Sequence, residues 1–310
     1  MTDTCQQLIT IGITMLLGQT DSPELDAELL LSKAVGQSRA WLLAYQDEIV
    51  NEADAKTYHS LLQRRASGEP IAYIFGEREF WSLPFIVNDA VLIPRPDTEV
   101  LVEAVLEHCS IRLAPSETQP KTTETTEALQ LLDLGTGSGA IAIALASELQ
   151  KLTTLNFSMT AVDQSQQALE VAQVNAKNNA VEQNIRFEHG SWFSAVKGKR
   201  FDIIVSNPPY IAENDQHLKQ GDVRFEPLSA LTSGINGLQD IHHIVKNSPD
   251  HLNHDGILFL EHGFQQGQSV QAILKSNGFK DIKTLEDYSG NPRVTLGIWQ
   301  TKSTLLNTTL

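Results

Sequence analysis

The apolar positions of the chain fall into two regimes. Over roughly the first 70 residues they recur at helical spacing. Leu25, Leu29 and Leu30 follow Asp21-Ser22-Pro23-Glu24, which supplies an N-cap and a proline in the first turn, and Gly36 is a stop. A short stretch, Trp41-Leu42-Leu43, precedes a polar helix over residues 51–67 that Gly68 and Pro70 end. Residues 71–91 change character: Tyr73, Ile74, Phe75, Phe80, Trp81, Phe85, Ile86 and Val87 are β-formers, broken by Gly76, Pro84 and Asn88-Asp89. This predicts a β-hairpin linker. Ile93-Pro94-Arg95-Pro96-Asp97-Thr98-Glu99 then leads into a helix reaching about Cys109. From residue 128 onward strands alternate with helices: strands at 129–134, 157–162, 185–188, 201–206, 256–260, 282–285 and 293–299, helices at 140–149, 165–178, 238–245 and 268–276. Such alternation predicts a mostly parallel, Rossmann-like α/β sheet covered by helices. The expected organisation is a helical domain (1–70), a hairpin linker (71–92) and an α/β domain (93–310). Residues 115–127, rich in Thr and Glu with little to bury, read as a flexible surface loop.

Composition narrows the function classes. The 310 residues are 41% hydrophobic and 20% charged, which suits a globular chain. Acidic residues outnumber basic ones, 38 to 23, for a formal charge of −15. The densest basic clusters, Arg64-Arg65 and Lys197-Gly198-Lys199-Arg200, are too short to form a stripe along a phosphate backbone. Cys5 and Cys109 have no CxxC spacing, which argues against a disulfide framework or a cysteine zinc site and fits a reducing compartment. The apolar stretch 8–17, interrupted by Thr10, Gly12 and Thr14, is too short to span a bilayer, and the N-terminus lacks the basic run of a signal peptide. The expectation is a cytoplasmic monomer. His242, His243, His251 and His254 lie on or near a helix without a third ligand in view, so solvated helix faces are expected and no metal.

Three features fall at carboxyl ends of strands, where open α/β sheets bind ligands. The first is the loop Gly135-Thr136-Gly137-Ser138-Gly139 after Asp133-Leu134. Its glycines permit close approach of a ligand to the backbone. Gly135, Gly137 and Ala140 also satisfy the loose dinucleotide pattern GxGxxA, while the absence of a following Lys excludes a P-loop. Asp133 suits the ammonium of a methionine moiety better than a pyrophosphate. The second is Asp163, which can accept from both hydroxyls of a ribose. NAD and S-adenosylmethionine (SAM) both carry that ribose, and a helix N-cap role for Asp163 is the alternative. The third is Asn207-Pro208-Pro209-Tyr210. Its prolines cannot donate, so their carbonyls can serve a ligand. The Asn side-chain oxygen and a Pro carbonyl form two acceptors matched to a planar NH2 group, with Tyr210 as a stacking surface.

On these residues the chain resembles the HemK-type protein-(glutamine-N5) methyltransferases that modify peptide chain release factors. The resemblance covers nearly the whole chain. It includes the helical N-terminal part, the run from Ile93 to Glu99, residues 133–139, Ala161-Val162-Asp163, residues 207–210, Arg224-Phe225-Glu226-Pro227, Glu261-His262-Gly263 and Arg293-Val294-Thr295-Leu296. The Asn-Pro-Pro-Tyr signature alone is shared with adenine-N6 DNA methyltransferases; the combination is more specific. The resemblance implies a SAM-dependent methyltransferase fold with a final antiparallel strand. It implies that Gly135, Thr136, Gly137, Ser138 and Gly139 line SAM, Asp163 binds the ribose, Trp192 packs near the adenine, and Asn207, Pro208, Pro209 and Tyr210 hold the glutamine of a Gly-Gly-Gln loop. It departs at Ser191, where many relatives carry an acidic residue.

The implied reaction is methyl transfer from SAM to a protein glutamine amide, with the helical domain docking the release factor. Two rivals remain at this stage. One is a DNA or RNA base-amino methyltransferase, which needs phosphate contacts; around the site Glu213, Asp215, Asp222 and Glu226 outnumber Lys219 and Arg224. The other is a non-catalytic SAM-binding scaffold, for which the acceptor pair has no use. Glu261 is expected to make a structural hydrogen bond.

Overall fold

The computed structural model describes residues 3–113, 128–152 and 156–300. The loop expected at 115–127 and the last ten positions of the expected α/β domain lie outside the described residues. The chain divides into two compact units, residues 1–77 with 216–226, and residues 78–215 with 227–310.

The first unit is built on helices α1 (Cys5–Leu16), α2 (Pro23–Val35), α3 (Arg39–Ala44), α4 (Glu52–Ala66) and α5 (Ile71–Phe75). Thr4 and Gln7 form a capping box at α1, and Gly36, in the left-handed region, stops α2 as expected. Leu8, Leu16, Leu30, Leu31 and Leu62 are fully buried around Tyr58, whose hydroxyl donates to the Leu8 carbonyl at 3.1 Å. Gly12 permits this approach, since a Cβ there would stand 1.9 Å from the Tyr58 hydroxyl. Residues 71–75 differ from the strand expectation. Pro70 caps a short helix and Gly76, in the left-handed region, ends it, so Ile71, Ile74 and Phe75 turn a helical face to this core. Residues 216–226 also join this unit. Arg65, nearly buried on α4, donates to Asp26 Oδ2 and to Asp222 Oδ1, both at 2.7 Å. No local pattern announces a partner 157 residues away.

The second unit opens with a hairpin, β1 (Glu77–Phe80) and β2 (Leu83–Ile86), turned by Trp81 and Ser82 at φ 54° and 56°. The hairpin therefore belongs largely to the α/β unit rather than forming a separate linker. A 3₁₀ turn (Pro96–Thr98) leads into α6 (Glu99–Leu113). The remaining elements are β3 (Leu129–Leu134), α7 (Ala140–Leu149), β4 (Phe157–Asp163), α8 (Gln166–Asn178), β5 (Ile185–His189), β6 (Phe201–Ser206), α9 (Gln239–Asn247), β7 (Leu252–Glu261), α10 (Gly267–Ser276), β8 (Lys280–Glu286) and β9 (Pro292–Trp299). They form one sheet in the order β5-β4-β3-β6-β7-β9-β8. The first five strands run parallel; β9 is antiparallel to β7 and to β8. The fold is the expected mostly parallel methyltransferase sheet with flanking helices.

The parallel strands are apolar on both faces because helices cover both. Leu131, Ile203 and Phe259 meet α6 and α7 on one side, while Leu132, Ile204 and Leu258 meet α9 and α10 on the other. The strand order reverses between β3 and β6. Leu134 stands opposite Val162 on β4 and Ser206 on β6, so Gly135, Asp163 and Asn207 leave the sheet at one level.

Asn175, fully buried on α8, ties the hairpin to this edge. Its Oδ1 accepts from Ile86 N–H at 2.7 Å, and its Nδ2 donates to the carbonyls of Ile86 and Ser138 at 3.0 and 2.9 Å. Asn175→Ala strands these buried groups and is expected to cost about 2–3 kcal/mol of unfolding free energy. Urea titration checks this, with a lower midpoint at an unchanged slope as the expected result.

Candidate active site

The glycine loop sits between β3 and α7, and four of its five backbone donors are already committed. Gly135 and Thr136 both donate their N–H to the Val162 carbonyl, at 2.8 and 3.0 Å, and Gly139 donates to Thr136 at 2.8 Å. Gly137 donates to Asp163 Oδ2 at 2.8 Å. A pyrophosphate-binding loop must turn such donors toward the ligand; here they face the protein, beside two carboxylates. The dinucleotide alternative is thereby disfavoured by the loop itself.

Asp133 is fully buried under the loop, where its Oδ2 accepts from the Thr136 hydroxyl at 2.7 Å. Burial pushes its carboxyl up to about 7, opposed by the Thr136 hydrogen bond and reinforced by Asp163. Asp163 also accepts from Ser165 N–H at 2.8 Å. Burial raises its pKa, while the N–H groups of Ser165, Gly137 and Gln164 oppose the shift. Asp133 thus shapes the loop from beneath, and Asp163 faces the ligand side.

A cavity of about 280 Å³ opens at this edge. It brings together Gly135, Gly137, Asp163, Trp192, Asn207 and Pro209 from the residues singled out in the sequence. Gly137 presents its Cα to open space: a Cβ built there meets no atom within 4 Å. Trp192, at φ 49°, lays its ring against Gly135. Thr136 and Ser138 are buried beneath the loop and Gly139 begins α7. Other walls come from residues that no motif marked: Asp89, Ala90 and Leu92 before the Ile93 run, Gln164 and Ser165 after β4, and Ser229 and Asp240. Ser191 lines it too. No Lys or Arg is among the described lining residues. A glycine cradle, a ribose-level carboxylate and an indole wall fit SAM.

The 207–210 turn divides in two. Asn207 and Pro209 line the cavity, whereas Pro208 is buried and Tyr210 is not part of the wall. The Tyr210 hydroxyl lies 3.4 Å from Glu261 Oε1, and its carbonyl accepts from Gln266 Nε2 at 3.0 Å. Gln266 Oε1 in turn accepts from Gly263 N–H at 2.9 Å. Asn207 Nδ2 donates to Thr98 Oγ1 at 3.3 Å. Burial pushes the Glu261 carboxyl up to about 7, against a Thr98 hydrogen bond and Arg293. Of the histidines, His251 stacks on Phe193 and accepts no role here, with ring centroids 4.6 Å apart.

With this geometry in view, comparison with known proteins is decisive. The release factor glutamine methyltransferase of Vibrio cholerae is 47% identical over 284 residues, 91% of this chain and 92% of that protein. Those of Haemophilus influenzae and Escherichia coli are each 46% identical over 91% of this chain. The chain belongs to the release factor glutamine methyltransferase family. It is a SAM-dependent methyltransferase, as its sequence resemblance implied. The family model for the PrmC N-terminal domain matches residues 7–76, and that for the methyltransferase small domain matches 118–224. Among solved structures, the hMettl16 catalytic domain in complex with the MAT2A 3′UTR hairpin 6 has a TM-score of 0.52 at 13% identity, covering 82% of this chain and 84% of that one. That likeness is one of fold alone.

Two substitutions test the SAM face. Asp163→Ala is expected to weaken SAM binding by about 1.5–3 kcal/mol, the range of a hydrogen bond to a charged group. Gly137→Ala points a methyl group into the cavity and is expected to weaken SAM at least about tenfold, while the strain at positive φ costs the fold only roughly 1–2 kcal/mol. Isothermal calorimetry and thermal unfolding read both; wild-type SAM affinity in Gly137→Ala would move the binding face elsewhere.

Proposed function

We propose that residues 207–210 seat the side-chain amide of the Gly-Gly-Gln glutamine of a peptide chain release factor, and that the methyl group is transferred there. The observation that carries this reading is that Asn207 and Pro209 line the same cavity as Gly135, Gly137, Asp163 and Trp192. The Asn207 acceptor for an NH2 and a cradle for SAM thus share one space. The release factor glutamine methyltransferases to which the chain is similar support the choice of substrate.

An amide nitrogen is a poor nucleophile because its lone pair is delocalised into the carbonyl. When bound, SAM supplies a methyl group made electrophilic by its sulfonium. The chain's own task is alignment. Asn207 Oδ1 and the Pro208 carbonyl accept the two amide hydrogens, and they become better matched as positive charge develops on the nitrogen. Pro209, on the cavity wall, flanks the amide plane. The extra proton leaves after transfer, so none of these residues acts as a strong base.

The charge of the cavity favours a protein substrate over a nucleic acid. Asp89, Asp163 and Asp240 line it and no described Lys or Arg does, leaving a phosphate without a partner. We place the protein in the cytoplasm as a monomer, together with its substrate. No described helix is long and apolar enough to cross a membrane.

Asn207→Ala tests the seat. Single-turnover methylation of release factor is expected to slow about 10²–10³-fold, the usual cost of one preorganised polar contact. SAM affinity should change little, because its contacts lie at the glycine loop and Asp163. Near-normal turnover would remove the seat from residue 207, and labelled SAM with nucleic acid in place of release factor tests the rival substrate.

We also propose that the helical unit docks the release factor. Ile11 and Met15, one turn apart on α1, are exposed at 42% and 41%. The double substitution Ile11→Ser/Met15→Ser is expected to lower kcat/KM for the whole release factor about tenfold, one modest interface contact. The value for a short Gly-Gly-Gln peptide should stay unchanged; equal values for whole factor in variant and wild type would place docking off this face.

A further inference from the structure

Behind the 207–210 turn lies a buried chain of polar groups set back from the cavity wall. Thr98 and Glu261 are 4% and 1% exposed, and neither lines the cavity. Thr98 Oγ1 receives the Asn207 Nδ2 donor at 3.3 Å. The Thr98 side chain is also hydrogen-bonded to Glu261. The Tyr210 hydroxyl approaches the same carboxyl at 3.4 Å, and Glu261 Oε2 is buried without a hydrogen-bond partner.

We propose that Thr98 and Glu261 are positioning residues that determine which end of the Asn207 amide faces the cavity. The inference rests on the reading of Asn207 as the substrate acceptor. Its basis is the direction of donation. An ionised carboxylate can only accept. Thr98 must then give its single proton to Glu261, and its oxygen can only accept from Asn207. That holds Nδ2 inward and leaves Oδ1 as the outward end, the end that meets an NH2 group. A protonated Glu261 can itself donate to Thr98. The Thr98 proton is then released to turn toward Asn207, the amide can reverse, and a donor would face the donor hydrogens of the substrate.

Charged and polar groups face Glu261 from three sides. Arg293 reaches it from β9, Asp97 from the turn before α6, and Tyr210 from the loop after β6. Arg293 is held by Asp287 at 3.0 Å and Asp97 at 3.1 Å. Beside it, His262 is engaged by the Gly263 carbonyl at 2.9 Å and Thr295 Oγ1 at 2.7 Å. Ionisation of Glu261 locks the productive orientation, so methyl transfer should quicken as pH rises through neutrality.

The test is single-turnover methylation of release factor by the full-length enzyme at saturating SAM, across neutral pH, beside SAM titration. Saturation keeps any pH dependence of SAM binding, where Asp133 underlies the loop, out of the measured rate. Thr98→Val is close to isosteric and is expected to slow transfer about 10–100-fold, the scale of a small misplacement of a reacting group. SAM affinity should stay within about twofold, because no direct SAM contact is lost. Thr98→Ser keeps the hydroxyl and should recover most of the rate. Glu261→Gln should lower the rate and flatten its rise with pH. The proposal is overturned if Thr98→Val transfers at the wild-type rate, or if folded Thr98→Ser is no faster than Thr98→Val. Should Thr98→Val not fold, Glu261→Gln decides, and a pH profile like that of the wild type overturns the proposal. Asn207→Ala in the same series separates the two readings. Wild-type transfer in that variant would fell the amide seat, whereas a crippled Asn207→Ala beside an unaffected Thr98→Val would fell only the positioning chain.

Discussion

Leu134 stands opposite Val162 on one side and Ser206 on the other. This register is fixed because a slip of one residue would exchange the side chains fitted against the helices of the two faces. Three chain segments therefore leave the sheet at one level, beginning at Gly135, Asp163 and Asn207. The Val162 carbonyl then takes two N–H groups of the glycine loop, Asp163 takes a third, and the Ser206 hydroxyl donates to the Leu134 carbonyl at 2.6 Å. The glycine loop and the 207–210 turn are held together by ladder geometry. The side chains that line the cavity inherit their positions from it.

The electrostatics follow from what this edge buries. Asp133 and Glu261 lie under the two halves of the site, and burial raises both carboxyls to about 7. Neither sits in an ion pair that would hold it charged at no cost; each instead has one oxygen without a hydrogen-bond partner. Buried groups of this kind are expensive. Their neighbours are a threonine in each case, Thr136 and Thr98, which spends its one hydroxyl proton on the carboxyl. A hydroxyl whose proton is committed becomes a defined acceptor, so the arrangement exchanges stability for direction at the loop and at Asn207.

The helical unit uses a different device. Arg65 joins Asp26 and Asp222 while itself nearly buried, an arrangement whose desolvation is tolerated because its geometry supplies several charge-assisted bonds. Arg65 also donates to Thr20 Oγ1 at 2.8 Å and the Glu69 carbonyl at 3.0 Å. The segment 216–226, which follows the 207–210 turn in the chain, is thereby a member of the helical unit.

The sequence by itself determined the alternating α/β order, the strand ends and the motifs at them. Continuous apolar runs such as Leu131-Leu132 and Ile203-Ile204-Val205 are local signals, and so are the glycines after β3 and the prolines after β6. Residues 71–75 carry β-forming side chains yet form a helix, because the caps at Pro70 and Gly76 decide for one once a core is present. What only tertiary structure decided depends on partners distant in the chain. Asn175 meets Ile86 across 89 residues, Asn207 meets Thr98 across 109, and Arg65 meets Asp222 across 157. The same holds for the turn of Tyr210 away from the cavity and toward Glu261. A single side chain's direction is set by which donors and acceptors lie within about 3.5 Å, and local spacing carries no record of that.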